Sequence, residues 1–439
     1  MEDILGGDVR RAVASPRNAL DRWARAAVHR RLAAIRGAAL RVIDADADAR
    51  FGEAGSDLRA GVVVRDPSFY RALWLRGALG GAEAWMDGAW EADDLTRVIR
   101  ILARNRAALA GLDGGLARAA RPALRLWHAL RRNTRRGSRA NIAAHYDLGN
   151  EFFELFLDPT LSYSCAFFER PGASLEEAQL AKLDRICAKL ALGPGDHVLE
   201  IGSGWGGFAL HAARRTGCRV TTTTISRAQY DLARRRVAEA GLSGRVEVLL
   251  QDYRALRGRF DKIVSIEMIE AVGHRYLDTF FRTCAERLRP EGAMLLQAIK
   301  VHDQDWEESL RSVDFIKRHV FPGGQLVATG AVSDSIARVA DLRLVHLEDL
   351  TPHYAETLRR WRARMDARRD AIRALGLPER FLRLWEFYLC YCEGAFEERE
   401  IGVVQMLFEK PGSRRAPLLG RLVPPRVRGA AAEVPAAPA

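Results

Sequence analysis

Between Val198 and Leu210 the chain reads VLEIGSGWGGFAL. An apolar run carries one carboxylate, Glu200, and opens into Gly202, Gly204 and Gly206, with Trp205 and Gly207 among them. Glycine permits a tight turn and lets a ligand approach the backbone closely. The spacing is G-x-G-x-G rather than G-x-G-x-x-G, which disfavours a dinucleotide pyrophosphate. A bare G-x-G also occurs at ordinary strand–helix turns. Two more carboxylates, Glu267 and Glu270, stand three residues apart in SIEMIEAVG. Asp252 and Tyr253 close LLQDY. Taken alone, Asp252 reads as a helix N-cap and Tyr253 as a core aromatic. The six cysteines lack paired metal spacing, and Cys390-x-Cys392 alone is a weak zinc signal, so no metal site is expected. His274, His302, His319 and His353 read as surface or satisfied core histidines.

These groups sit among short apolar segments that alternate with helix-like ones. Residues 197–202, 219–224, 246–252, 260–267 and 293–299 read as strands. FALHAARRT, RAQYDLARRRVAEAG and YLDTFFRTCAERLR between them read as helices. Such alternation predicts an α/β fold with a parallel sheet covered on both faces. Residues 342–350 and 402–410 would complete the sheet. Residues 303–340 and 351–400 would be helical insertions at its C-terminal edge, where ligands bind. Ahead of this lies a small α+β domain, residues 1–105, with a helix over 8–45 and a strand over 58–66. A basic helical connector, 106–139, joins it to the larger α/β region, 140–411, and the tail, 412–439, is expected to be disordered.

The chain has 439 residues, 48% of them hydrophobic, ample for large cores. No run of eighteen uncharged apolar residues predicts a membrane-spanning helix, and the N-terminus shows no secretory signal. A reduced cytoplasm is the default compartment. Net charge is +12, and residues 1–140 hold 26 basic against 16 acidic side chains. Seven arginines fall in 121–139, and along 106–140 Leu116, Leu124, Trp127 and Leu130 can share a face with Arg125, Arg131 and Arg132 beside it. That is the pattern of an interfacial amphipathic helix, and equally of a helix packed on a domain. Nucleic-acid binding is not expected, since Trp127 is the lone aromatic in the basic stretch.

The glycine loop with Glu200 resembles motif I of the class I S-adenosylmethionine-dependent methyltransferases. A more specific resemblance follows. ANIAAHYDLGNEFFELFLDPTLSYSCAFFE (140–169) resembles the opening segment of the cyclopropane-fatty-acid synthases and their mycolic-acid relatives. TISRAQ, EMIEAVG, FPGG, LTPHYAETLRRW and YLCYCEGAF are similar to further segments of that family, in its order. The resemblance covers roughly 140–410, and residues 50–105 resemble the N-terminal domain of many bacterial members. It implies a class I methyltransferase Rossmann-like sheet with helical lipid-site insertions. It also implies methylene transfer from S-adenosylmethionine to the cis double bond of an unsaturated phospholipid acyl chain.

By that resemblance, a bound bicarbonate is the base. The residues matching its holders are Cys165, Glu270, Tyr354 and the backbone amide of Ile299, and Gln297 stands where the family has His. Gln donates a hydrogen bond but shuttles no proton, and it also reads as a structural amide. Ala271 likewise replaces a His. The register to the following Val-Gly favours Glu270 over Glu267. Cofactor contacts carried over are Tyr163, Ser164, Glu200, Gly202, Gly204, Trp205, Thr224, Gln229, Asp252 and Tyr253, with His145 and Tyr146 organising the opening segment. A peripheral enzyme at the inner membrane face, docking through its arginines, and a homodimer are further expectations. The altered residues keep a second product open, a methyl- or methylene-branched chain. A non-catalytic lipid-binding protein is the rival from another class.

Overall fold

In the computed structural model, residues 19–109, 137 and 149–419 are described. The N-terminal part runs α1 (Ala19–Leu32), β1 (Ala39–Ile43), β2 (Asp48–Gly52), β3 (Arg59–Val64), α2 (Ser68–Met86), β4 (Trp90–Ala92) and α3 (Leu95–Arg104). Its sheet has the order β2-β1-β3-β4, with β1 and β3 parallel and the outer pairs antiparallel. The helix expected over 8–45 is therefore corrected. It ends at Leu32, the chain turns through Gly37 at φ +61°, and β1 follows. Leu40, Val42 and Ile43 are buried by pairing with β3, a tertiary partner that local composition does not reveal. Residues 1–18 lie outside the described residues.

The larger sheet uses all seven strand segments marked in the sequence. They are β5 (His197–Ile201), β6 (Arg219–Thr224), β7 (Val246–Leu250), β8 (Phe260–Ile266), β9 (Leu288–Val301), β10 (Arg343–Asp349) and β11 (Ile401–Glu409). Their order is β10-β11-β9-β8-β5-β6-β7, with β11 antiparallel to both neighbours and the rest parallel. Alternate residues of β5 enter two different cores. Leu199 and Ile201 pack with Phe280 and Phe281, while Val198 packs with Ile186 and Phe208. A strand buried on both faces reads as a near-continuous apolar run, which is why β5 was legible. From β5 the chain adds β6 and β7 on one side, then β8 and β9 on the other. The order thus reverses between β5 and β8, and a crevice opens at their C-terminal ends.

Helices Thr351–Asp366 and Glu379–Glu397 fill the connection between β10 and β11, with Trp361 and Trp385 wholly buried. Glu379–Glu397 is also where the N-terminal domain docks. A β-carbon on Gly394 would lie 2.7 Å from Ile99 Cγ2, so glycine admits α3 to close contact. Arg100 and Arg104 both bind the Glu398 carboxylate, at 2.7 and 3.0 Å. The tail expected to be free beyond Pro411 is fastened at its start. The Gly412 amide donates to Pro290 O at 3.1 Å, and Arg415 pairs with Glu409 at 3.5 Å. Of the basic connector 106–139, residues 106–109 and 137 are described, and the rest, with His145 and Tyr146, lies outside the described residues. Among the described residues no helix is long and apolar enough to cross a membrane.

Candidate active site

The crevice at the β5/β8 switch opens into a cavity of about 800 Å³. All ten residues carried over as cofactor contacts line it. Gly202 adopts φ +97°, and a β-carbon there would meet Met268 Cγ at 2.9 Å, so the turn demands glycine. Gly204 adopts φ +47°, and a β-carbon there would meet nothing within 4 Å, which leaves its backbone open to a ligand. The Trp205 indole is buried and donates to Asn150 Oδ1 at 2.8 Å. Glu200 is buried beneath the loop and accepts from Thr222 Oγ1 at 2.5 Å; burial pushes its carboxyl up to about 8. On the second strand Thr224 Oγ1 donates to Gln229 Oε1 at 2.8 Å. Asp252 caps the turn that follows β7 and pairs with Arg254 at 2.6 Å, so its capping role and its place at the cavity coexist. Tyr253 lies edge-on to Phe280. The Tyr163 hydroxyl donates to Tyr388 at 2.9 Å, and Ser164 Oγ accepts from Lys182 Nζ at 2.9 Å.

Of the five residues matched to catalysis, Glu270, Ile299 and Tyr354 line the cavity, while Cys165 and Gln297 lie fully buried behind it. They converge on a residue the sequence reading set aside, Glu267. Its Oε1 accepts from the Cys165 amide at 2.9 Å and from Gln297 Nε2 at 2.8 Å. Its Oε2 accepts from the Tyr354 hydroxyl at 2.5 Å. Cys165 therefore acts through its backbone. Its thiol faces the carbonyls of Ala166 and Leu350, and burial holds it far above the range of a thiolate. Glu270 Oε1 accepts from the Ile299 amide at 2.6 Å, and its Oε2 is buried without a partner. Burial, reinforced by the charge of Glu267, pushes Glu270 up to about 8. Burial also raises Glu267, but Tyr354, the Cys165 amide, Gln297 and Lys182 oppose that rise.

Gln297 is oriented by a chain of amides. Lys189 has only donors, so it takes Gln405 Oε1, at 2.7 Å. Gln405 Nε2 is left to donate to Gln297 Oε1 at 2.9 Å, and Gln297 Nε2 must then face Glu267. A second missed residue is Lys182, wholly buried at the cavity wall, where it offers positive charge to Glu267 and Glu200. Its signal lay in helix Leu175–Leu190. Gln179, Lys182, Ile186 and Lys189 recur at helical spacing on the buried face, and polar side chains there call for buried partners. Three of the four histidines set aside are partnered elsewhere, His302 with Arg399 O, His319 with Glu83 and His353 with the Phe168 amide.

The rest of the cavity is apolar. Phe69, Leu73, Leu79, Ile99 and Leu102 of the N-terminal domain wall it from one side. A long hydrophobic ligand could thus lie between the domains and end at the carboxylates.

The sequence matches the family described as mycolic acid cyclopropane synthetase over residues 133–406, well over half the chain. The chain belongs to that family. It is 39% identical to a tuberculostearic acid methyltransferase of Mycobacterium tuberculosis, over 80% of this chain and 83% of the relative. It is 37% identical to the cyclopropane-fatty-acyl-phospholipid synthase of Escherichia coli, over 82% of this chain and 89% of the relative. Among solved structures it is similar to the mycolic acid cyclopropane synthase CmaA1 complexed with SAH and CTAB. That match has TM-score 0.58 and 35% identity, covering 62% of this chain and 98% of the other. This family member is thus a class I methyltransferase that uses S-adenosylmethionine. The glycine loop fits that cofactor, with open backbone at Gly204 and buried Glu200 below. The bicarbonate expected from the resemblance fits less well. Cys165, Gln297 and Tyr354 already donate to Glu267, and Ile299 to Glu270, so a separate anion would bring further negative charge to donors already engaged.

Proposed function

We propose that this enzyme transfers a one-carbon unit from S-adenosylmethionine to a cis double bond of an unsaturated phospholipid acyl chain, closing a cyclopropane ring. The observation that carries the reading is one continuous cavity. It is apolar where the N-terminal domain walls it and ends at buried carboxyl groups beside the glycine loop. The cofactor, when bound, supplies an electrophilic methyl. An alkene is a poor nucleophile, so the protein must align the two carbons and exclude water from the cation that forms. Tyr163 lines the cavity and is backed by Trp361 and Trp385, its ring tilted against theirs with centroids 5.2 and 6.4 Å away. An aromatic side chain at the cavity wall, such as Tyr163, favours a nearby cation through its π face.

The phospholipid form of the substrate is supported by the name and 89% coverage of the Escherichia coli relative. Reaching such a substrate requires peripheral contact with a membrane, for which the Arg-rich stretch 121–139 is the proposed docking element. A branched product is the second reading. It is favoured by Gln297 in place of the family's His and by the tuberculostearic acid methyltransferase at 39% identity.

The test is incubation with S-adenosylmethionine and vesicles of a cis-monounsaturated phospholipid, then proton NMR of the recovered acyl chains. Upfield ring-methylene signals are expected. Vinylidene signals would establish the branched reading instead. The two products are isomers, so mass alone cannot separate them.

A further inference from the structure

Glu267 sits at the C-terminal end of β8 with φ +49°, a left-handed conformation that a side-chain-bearing residue rarely adopts. Such backbone costs roughly 1–3 kcal/mol and persists where surroundings over-determine it, commonly at functional sites. Here the strained residue carries a carboxylate held by three donors from three separate segments: Cys165, Gln297 and Tyr354. Buried Lys182 offsets its charge. Glu270 stands on the next turn with one buried oxygen unpartnered. Two neighbouring buried carboxyl groups do not readily ionise together. The three donors on Glu267, against one on Glu270, favour Glu267 as the charged member of the pair and Glu270 as the protonated one.

We infer that Glu267 is the proton acceptor of the reaction, and that the enzyme therefore turns over without bicarbonate or any other diffusible anion. The inference rests on the proposed methyl transfer. In that reaction the alkene π pair bonds to the methyl carbon as the carbon–sulfur bond breaks and its pair returns to sulfur. The neighbouring alkene carbon is left cationic. A C–H bond of the transferred methyl then breaks, its proton passing to Glu267, and its electron pair closes the ring. In the branched variant a hydride shift precedes the same deprotonation, and the pair forms an exocyclic double bond. Either way one proton reaches a carboxylate that the chain itself supplies. The positive charge develops within the cavity that Glu267 lines, so its anion also lowers the barrier electrostatically.

The experiment measures product formation from vesicles in buffer stripped of carbon dioxide, then with bicarbonate added back. Wild type is expected to run within about twofold in the two conditions. Glu267→Gln preserves shape and an acceptor for the Cys165 amide and Gln297, reverses the hydrogen bond with Tyr354, and removes charge and basicity. It is expected to lose roughly 10²- to 10⁴-fold in kcat, the usual weight of a positioned base, with S-adenosylhomocysteine binding retained. Glu267→Gly suits the φ of +49°, removes the carboxylate and leaves its three donors exposed. Its residual activity is expected to rise at least tenfold with bicarbonate. A wild type that works only with bicarbonate overturns the inference while leaving the proposed function standing, and this arm needs no variant to fold. Glu267→Gln activity within about threefold of wild type also overturns it. A wild type that forms no product in either buffer sinks the proposed function and the inference with it.

Discussion

The two ends of the cavity are built on opposite principles. At the N-terminal domain, Phe69, Leu73, Leu79 and Ile99 offer an apolar wall with no directional demand. At the sheet edge, Glu267, Gln297, Gln405 and Lys189 form a chain in which each hydrogen bond dictates the next. Apolar packing is non-directional and tolerates changes of similar volume. A buried polar chain does not, because one lost partner leaves a desolvated group behind. The same cavity thus holds a surface that selects by length and shape and a site that fails on the loss of one atom.

The sharpest way to break this contrast is Tyr354→Phe. It deletes the hydroxyl that donates to Glu267 at 2.5 Å and nothing else. A kcat loss of roughly 100-fold is expected with KM little changed. That hydrogen bond holds the Glu267 carboxyl down, so its removal should move the acid limb of the kcat–pH profile to higher pH. A profile that keeps its shape would mean that Tyr354 only fills space.

At the apolar end, Leu73→Asp should cost less and in a different parameter. Burying an unmatched polar group against an acyl chain costs about 1–3 kcal/mol, or roughly 5- to 150-fold. It should appear in kcat/KM for vesicles, with S-adenosylhomocysteine affinity unchanged by calorimetry. Equal loss of cofactor binding would show that the two ends are not separate.

The smallest effect is on stability. Glu270 is raised to about 8 in the fold, whereas an unfolded carboxyl titrates near its ordinary value of 4.5. Between those values the unfolded chain releases a proton that the native chain retains, so stability falls as pH rises through that window. Glu270→Gln keeps an acceptor for the Ile299 amide and removes this penalty. Thermal melts should give equal midpoints at about pH 4 and a variant several degrees higher at about pH 9. A constant offset across pH would place the penalty elsewhere.

Much of this was legible in the chain itself. The seven strands of the main sheet showed because short apolar runs alternate with helical ones, and because β5 is buried on both faces. The glycine turn announced itself because Gly202 and Gly206 need left-handed backbone. Gln297 was visible as a departure, though not its reason, since Gln405 and Lys189 lie more than a hundred positions away in opposite directions. The first helix was overextended because Leu40, Val42 and Ile43 take their conformation from β3 rather than from their neighbours.

The sequence determined the sheet and the glycine turn, because these follow from local periodicity and backbone chemistry, and its resemblance to the family supplied the set of residues that meet at the crevice. Tertiary structure alone decided which carboxylate stands at the centre. Glu267 and Glu270 are the same residue type three positions apart. Only the left-handed turn at Glu267 aims one of them at the donors of Cys165, Gln297 and Tyr354 and leaves the other with an unpaired oxygen. The charge on a buried carboxyl group is set by the donors that reach it, and those come from three segments brought together by the fold.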